Sequence, residues 1–253
     1  MRCSTGKAII LTLATAICYA TSEAQYQFDV PKHEIGLTAG TFIYQGDLTP
    51  EAAGAWKSPS LAINVFYNRL LSRSFSLRTN LTFSRLTADD ANYHSPAWRE
   101  QRALRFKTRT TELSELLVWN ILGNNYSGRY SLSPYVFGGV GISSLRIRRD
   151  WSRFNPDYFA AEAKTLAGLG ADTLHSLPTI IPVIPVGAGI RFAISPQLSL
   201  MAEASYRITF TDYLDGFSQV ANPNKRDYYS SYAVGIIYTL GITNTLKCPP
   251  MRY

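Results

Sequence analysis

The sequence predicts an all-β protein, an antiparallel eight-stranded transmembrane outer-membrane β-barrel with long extracellular loops. Three observations predict it. Short segments of alternating apolar and polar residues recur with a period of two. The connections between them are short at one end and long at the other, as expected where periplasmic turns only reverse the chain and outward loops are free to grow. No stretch after residue 24 has the apolar length of a transmembrane helix, and the near-neutral hydropathy suits strands whose alternate residues meet lipid.

The first expected element is an export signal over residues 1–24. Arg2 and Lys7 form a basic start, Ala8–Ala20 is an apolar core too short to span a bilayer, and Ser22-Glu23-Ala24 offers small residues for cleavage. Thr15-Ala16-Ile17 places no small residue beside Cys18, so lipidation is not expected. Beyond the signal only Cys248 remains, which excludes an internal disulfide and any cysteine-based zinc site.

Strands are expected at His33–Tyr44, Ser60–Leu70, Ser74–Leu86, Ala103–Ile121, Ser131–Leu145, Ile180–Ile194, Gln197–Thr209 and Tyr228–Gly241. The barrel is assigned to residues 25–241, with residues 242–253 as a periplasmic tail. In the second strand Leu61, Ile63, Val65 and Tyr67 face lipid. In the third, Phe75, Leu77, Leu81 and Phe83 do so, opposite Ser76, Arg78, Asn80, Thr82 and Ser84. The seventh turns Leu198, Leu200 and Tyr206 outward, and the eighth Tyr232, Val234, Ile236 and Tyr238. Tyr67, Trp119, Tyr206, Tyr232 and Tyr238 are placed to build interfacial girdles.

Two places strain this pattern. Glu112 and Glu115 fall on opposite faces of the fourth strand, which calls for a bulge between them or for a strand that rises out of the membrane. The fifth and sixth strands are glycine-rich, and Gly138, Gly139, Gly141, Gly187 and Gly189 are expected to face inward and make room for bulky neighbours. The narrow lumen is expected to be filled by side chains, with Arg78, Glu112, Glu203 and Arg207 as candidates for ion pairs across it.

The loops Gln45–Pro59, Thr87–Arg102, Arg146–Thr179 and Phe210–Asp227 are assigned to the outside. Ser72-Arg73, Ser195-Pro196 and the longer Leu122–Tyr130 are assigned to the periplasm. Within the third outer loop, Arg146, Arg148, Arg149 and Arg153 lie near Trp151, Phe154, Tyr158 and Phe159. Phe159–Gly170 has room for a helical turn or two, with glycines arguing against more. The formal net charge of +7 across 253 residues points to lipopolysaccharide phosphates and lumen carboxylates as partners, since an exported chain does not meet nucleic acid.

The motif Thr211-Asp212-Tyr213-Leu214-Asp215 reads as a loop anchor. Its carboxylates can accept from backbone amides or from arginines such as Arg207, while Tyr213 and Leu214 pack on the barrel rim. Two carboxylates are too few oxygens for a calcium loop, so no metal and no cofactor is expected. His94-Ser95 and Asp89-Asp90 share one loop, but adjacent side chains in a loop diverge and no lipid-facing serine–histidine pair exists, so no enzymatic activity is expected.

Phe210–Asp215, Gly46-Asp47-Leu48 after Tyr44, Arg105–Glu115 and Ser133–Gly141 together resemble the small outer-membrane barrels of Bacteroidetes-type bacteria, a family that includes the barrel component of the type IX secretion system. The resemblance runs from about His33 to Gly241. It implies an integral outer-membrane protein that anchors a protein secretion assembly through periplasmic ring proteins. The natural contacts for that role are Leu122–Tyr130 and the tail, where Cys248, Pro249 and Pro250 make a stiff exposed segment. A free-standing barrel acting through its external loops, as an adhesin, a surface-stabilising protein or a narrow pore, is the alternative.

Overall fold

The computed structural model describes residues 33–50, 54–126, 131–220 and 227–241. The expected signal segment and the tail with Cys248, Pro249 and Pro250 lie outside these residues. Eight strands close into one antiparallel barrel in simple sequential order, with the first strand hydrogen-bonded to the last. They are β1 (His33–Gln45), β2 (Ser60–Leu70), β3 (Phe75–Asp89), β4 (Arg105–Asn120), β5 (Leu132–Asp150), β6 (Ile180–Ala193), β7 (Leu198–Thr209) and β8 (Tyr228–Leu240). Closure leaves the barrel without an edge strand, which is what allows strands to cross lipid.

The membrane-level half is inside out. Outward residues such as Leu61, Val65, Leu81, Leu113, Val140, Ile190 and Val234 are exposed. Inward neighbours such as Thr38, Asn80, Thr82 and Ser114 are buried. A belt of this kind is stable only against hydrocarbon, and the barrel spans the outer membrane. Aromatic rings mark both edges. At the short-turn end Phe75 stacks on Trp119, and Tyr67 meets His33 through a 2.6 Å hydrogen bond. At the other end Trp56 packs on Tyr232 and Tyr206 stacks on Tyr228.

Above the belt the polarity inverts while the parity continues. On β3, β4 and β5 the inward positions become apolar, with Leu86, Ala88, Phe106 and Leu145 all buried. The outward positions become cationic, with Arg85, Lys107, Arg109, Arg146 and Arg148 exposed. The strands therefore leave lipid and continue as an ordinary water-facing barrel around a dry core. For this reason β5 runs to Asp150 and β3 to Asp89, beyond the ends expected from the sequence. Arg146, Arg148 and Arg149 are strand residues, and the connection after them begins at Trp151.

β4 contains no bulge. Its register with β3 is unbroken from Phe75↔Trp119 to Asp89↔Arg105. Glu112 points inward and Glu115 outward, between Leu113 and Leu117 of the belt. β4 does rise out of the membrane at its start, but that does not move Glu115. The outward carboxylate is met by its direct cross-strand neighbour, Thr79, whose hydroxyl donates to it at 2.7 Å.

Four of the five glycines of β5 and β6 face inward; Gly138 points outward. Gly139 is one of the four, and a Cβ there would lie 2.0 Å from the Glu115 carbonyl oxygen of β4. On β1, Gly36 opposes Phe66, and a Cβ there would meet the ring at 2.1 Å. The missing side chain lets Phe66 lie across the lumen floor, where it carries Arg78.

Candidate functional site

Two features of the interior set what the protein can do: a plug through the membrane and a cap above it. The plug begins near the short-turn end. Arg191 of β6 donates to Glu34 of β1 at 2.7 Å, and Asn68 bridges Glu34 to Arg78 with hydrogen bonds of 3.0 and 2.9 Å. Arg78 pairs with Glu203, which also accepts from the Tyr135 hydroxyl at 2.8 Å. The Arg78 guanidinium lies 4.5 Å from the Phe66 ring centroid and is 2% exposed. Higher up, Arg207 lies 3.5 Å from Glu112, which accepts from Tyr229 at 2.9 Å. The spaces left beside these pairs are about 30 and 20 Å³, room for a water or so each.

The four lumen candidates thus occur as two pairs, Arg78 with Glu203 and Arg207 with Glu112. Sequence reasoning missed the third pair, Glu34 with Arg191. Its signal was weak, a charged residue at an inward-parity position on each of two strands far apart in sequence.

The cap closes the other end. Phe42, Tyr44, Leu86, Phe106, Leu145, Val183 and Tyr229 of the barrel pack with Leu48, Leu104, Leu214, Phe217 and Val220 of the connections. Each fully buried phenylalanine or leucine contributes about 1.5–3 kcal/mol, so this half is a folded body rather than a set of free loops. Polar ties join the connections. Buried Asp90 accepts from Arg99 at 2.8 Å and from Arg102 at 2.6 Å, on the short helix α1 (Trp98–Arg102). The same two arginines reach the Asp47 carbonyl of the first connection, each at 3.3 Å. Asn155 bonds Gln101 through backbone and side chain, at 2.9 and 2.8 Å.

The third connection holds a helix longer than its glycines suggested, α2 (Ala163–Leu174). Gly168 is there for close approach, since a Cβ would meet the Gln219 carbonyl oxygen at 2.5 Å. From α2 the fully buried Asp172 accepts the backbone amides of Ser218, Gln219 and Val220 at 3.2, 3.0 and 2.9 Å. No motif marked Asp172 in the sequence, yet it clamps the fourth connection to the third.

The Thr211–Asp215 motif sits in that fourth connection. The Thr211 hydroxyl accepts the Tyr213 amide at 3.1 Å. Leu214 is fully buried in the cap core, and its carbonyl accepts from Thr108 at 2.8 Å. Tyr213 packs on the third connection rather than on the barrel rim, with its ring stacked on His175 at 4.0 Å. Asp215 accepts the Phe217 amide at 2.8 Å and meets Tyr44, not Arg207, which lies deeper against Glu112. The Asp212 oxygens have no hydrogen-bond partner among the described residues.

The Tyr44 hydroxyl lies 2.7 Å from both Asp215 and Asp227, and the Asp47 amide donates to it at 3.0 Å. One hydroxyl carries one proton, so it can donate to only one of the two carboxyls; the other must be protonated and donate back. Burial drives this. It pushes Asp227 up to about 8, Asp215 well above the ordinary carboxylate range, and Asp212 up to about 6. No group of three or more metal-ligating side chains occurs among the described residues. His94 pairs with Glu100 at the surface.

A family model described as "Domain of unknown function (DUF6089)" matches residues 8–245. The chain belongs to that family. The DUF6089 match covers the whole barrel and cap and carries no assigned role. No curated protein matches the chain. Among solved structures the DUF6089 chain is similar to Ail, the attachment invasion locus protein of Yersinia pestis, in complex with the heparin analogue sucrose octasulfate. The identity is 14%, the match covers 82% of this chain and 97% of that one, and the TM-score is 0.43. It is also similar to Neisserial surface protein A (14% identity, 82% and 96% covered, TM-score 0.44). A third likeness is to the outer membrane protein OprG from Pseudomonas aeruginosa (10% identity, 85% and 98% covered, TM-score 0.44).

Proposed function

We propose that this protein is a free-standing, sealed and non-enzymatic surface barrel that acts through its external half and stabilises the cell surface. The observation that carries the reading is the division of the molecule. The membrane half is plugged by three ion pairs, which argues against solute passage, and the other half is a folded body with its own core. With long connections facing outward, as in barrels of this size, the cap lies outside the cell. Preorganised loops suit an interaction at the surface because little ordering entropy is lost on contact.

The secretion-anchor role implied by the sequence resemblance would use the tail, outside the described residues, and the turn after β4. The described part of that turn is tied to the neighbouring β2–β3 turn, with Asn125 donating to the Ser72 and Arg73 carbonyls. This favours the surface reading.

The test is complementation of a deletion strain, with outer-membrane integrity read by uptake of a hydrophobic fluorescent dye. Wild type should restore exclusion of the dye. A barrel with residues 152–178 replaced by a short Gly-Ser turn should reach the membrane, keep its heat-modifiable gel mobility and fail to restore exclusion. Full rescue by the shortened barrel would overturn the reading.

A further inference from the structure

On the outward face, where lipid gives way to water, Arg85 of β3, Arg109 of β4 and Arg146 of β5 stand directly side by side in register. Lys107 and Arg148 form a second pair one outward step above. Like charges placed directly opposite each other in a sheet are destabilising. Among the described residues none of the five has an ion-pair partner. The nearest acidic positions on this face, Asp89 and Asp150, flank Arg105 further out, and Asp89 is engaged by Arg153 at 2.7 Å. Five exposed cations on three adjacent strands thus have no ion-pair partner among the described residues.

Their height is defined by the belt below. On β3 the outward positions from Phe75 to Phe83 precede Arg85, and on β4 Arg109 follows the run from Trp119 to Thr111. Each run matches the roughly 9–11 residues that a tilted strand needs to cross the hydrocarbon. The arginine row therefore lies at the level of outer-leaflet headgroups. Beside it a surface groove of about 560 Å³ is lined by Ile63 and Phe83 on one rung, by Leu61 beside Arg85 and Arg109 on the next outward rung, and by Lys107 one step further out. β2 ends at Ser60 while β3 continues, and this difference in strand length opens the groove.

We propose that this face is a docking site for a phosphate-bearing acyl lipid of the outer leaflet, with acyl chain along Leu61, Ile63 and Phe83 and phosphates across Arg85, Arg109 and Arg146. Charge complementarity selects the occupant. Guanidinium groups bind phosphate oxygens in bidentate fashion, and an apolar groove that continues into a cationic shelf matches a molecule with a lipid tail and an anionic head. The site rests on the surface-barrel reading and gives it a chemical basis, since lipid phosphates held by fixed arginines need no bridging divalent cation.

The test uses the full barrel refolded in detergent and native mass spectrometry with bisphosphorylated lipid A and its dephosphorylated form. The site predicts one retained lipid per barrel, a preference for the phosphorylated form, and persistence in EDTA. The triple variant R85Q/R109Q/R146Q should lose at least about tenfold in affinity with gel mobility unchanged. L61S should weaken binding while leaving the phosphates' partners in place. Equal retention of both lipids, retention only with added magnesium, displacement by inorganic phosphate at equal concentration, or unaltered binding by the triple variant would each overturn the proposal. Binding in detergent is scored apart from dye exclusion in cells, so a barrel that fails here and still rescues the strain leaves the surface role standing without this ligand.

Discussion

Replacing Arg78 with methionine is expected to destabilise the barrel by about 3–5 kcal/mol, the range for a buried ion pair that loses one partner. The mechanism is the charge left behind. Glu203 would keep only the Tyr135 hydroxyl, and Asn68 would lose the donor that links it to the middle of the lumen. The methionine would still fill space over Phe66, so a cavity is not the main effect. The double variant R78M/E203M removes both charges and should recover most of the loss, because two apolar residues of similar volume avoid the desolvation of an ion pair. Equilibrium urea unfolding in lipid vesicles measures both. An unchanged midpoint in R78M, or a double variant as unstable as the sum of the two singles, would show that the pair does not plug the lumen in this way.

The second large effect is a dependence of the cap on pH. Burial pushes Asp227 up to about 8 and Asp212 up to about 6, and holds Asp215 well above its ordinary value. In each case burial is the largest cause. Unfolded aspartates lose their protons near pH 4, so between pH 4 and 8 the folded cap binds protons that the open chain does not. Their contribution to stability is complete below about pH 4 and falls as pH rises through about 6 and 8. Hydrogen exchange of the Leu214–Val220 amides should therefore accelerate from pH 6 to pH 9 beyond the intrinsic chemical trend. D227N keeps a neutral group against Tyr44 and the Leu214 amide while Asp47, Asp212 and Asp215 remain. It should flatten most of that dependence and protect the segment at pH 9. Equal acceleration in wild type and D227N would contradict the shared-proton arrangement.

The membrane half was legible in the sequence because lipid imposes a strict two-residue alternation. β2, β3, β7 and β8 could be divided into inward and outward faces residue by residue. The same rule hid the upper strands. Once Leu86, Phe106 and Leu145 turn inward and Arg85, Arg109 and Arg146 outward, alternation persists with its sign reversed. A reading tuned to apolar-out then takes Arg146–Asp150 for loop. The arginine row depends on the register of three strands, which no single segment contains.

The cap was partly legible. Thr211–Asp215 pointed to the right connection, but the roles of its residues depend on distant partners. Asp215 is set by Tyr44, Tyr213 by His175, and the clamp on Ser218–Val220 by Asp172, a lone aspartate at the end of a helix. Glu34 and Arg191 were equally silent, because a pair across a lumen is fixed by strand stagger and not by neighbours in sequence.

The central claim is that the barrel is sealed. Single-channel recording of the purified protein in planar bilayers tests it most directly. A closed plug of three ion pairs beneath a folded cap predicts no conductance steps from inserted protein at moderate voltage. Discrete, reproducible openings from wild-type barrel would contradict the account and make the lumen, not the external half, the working part of the molecule.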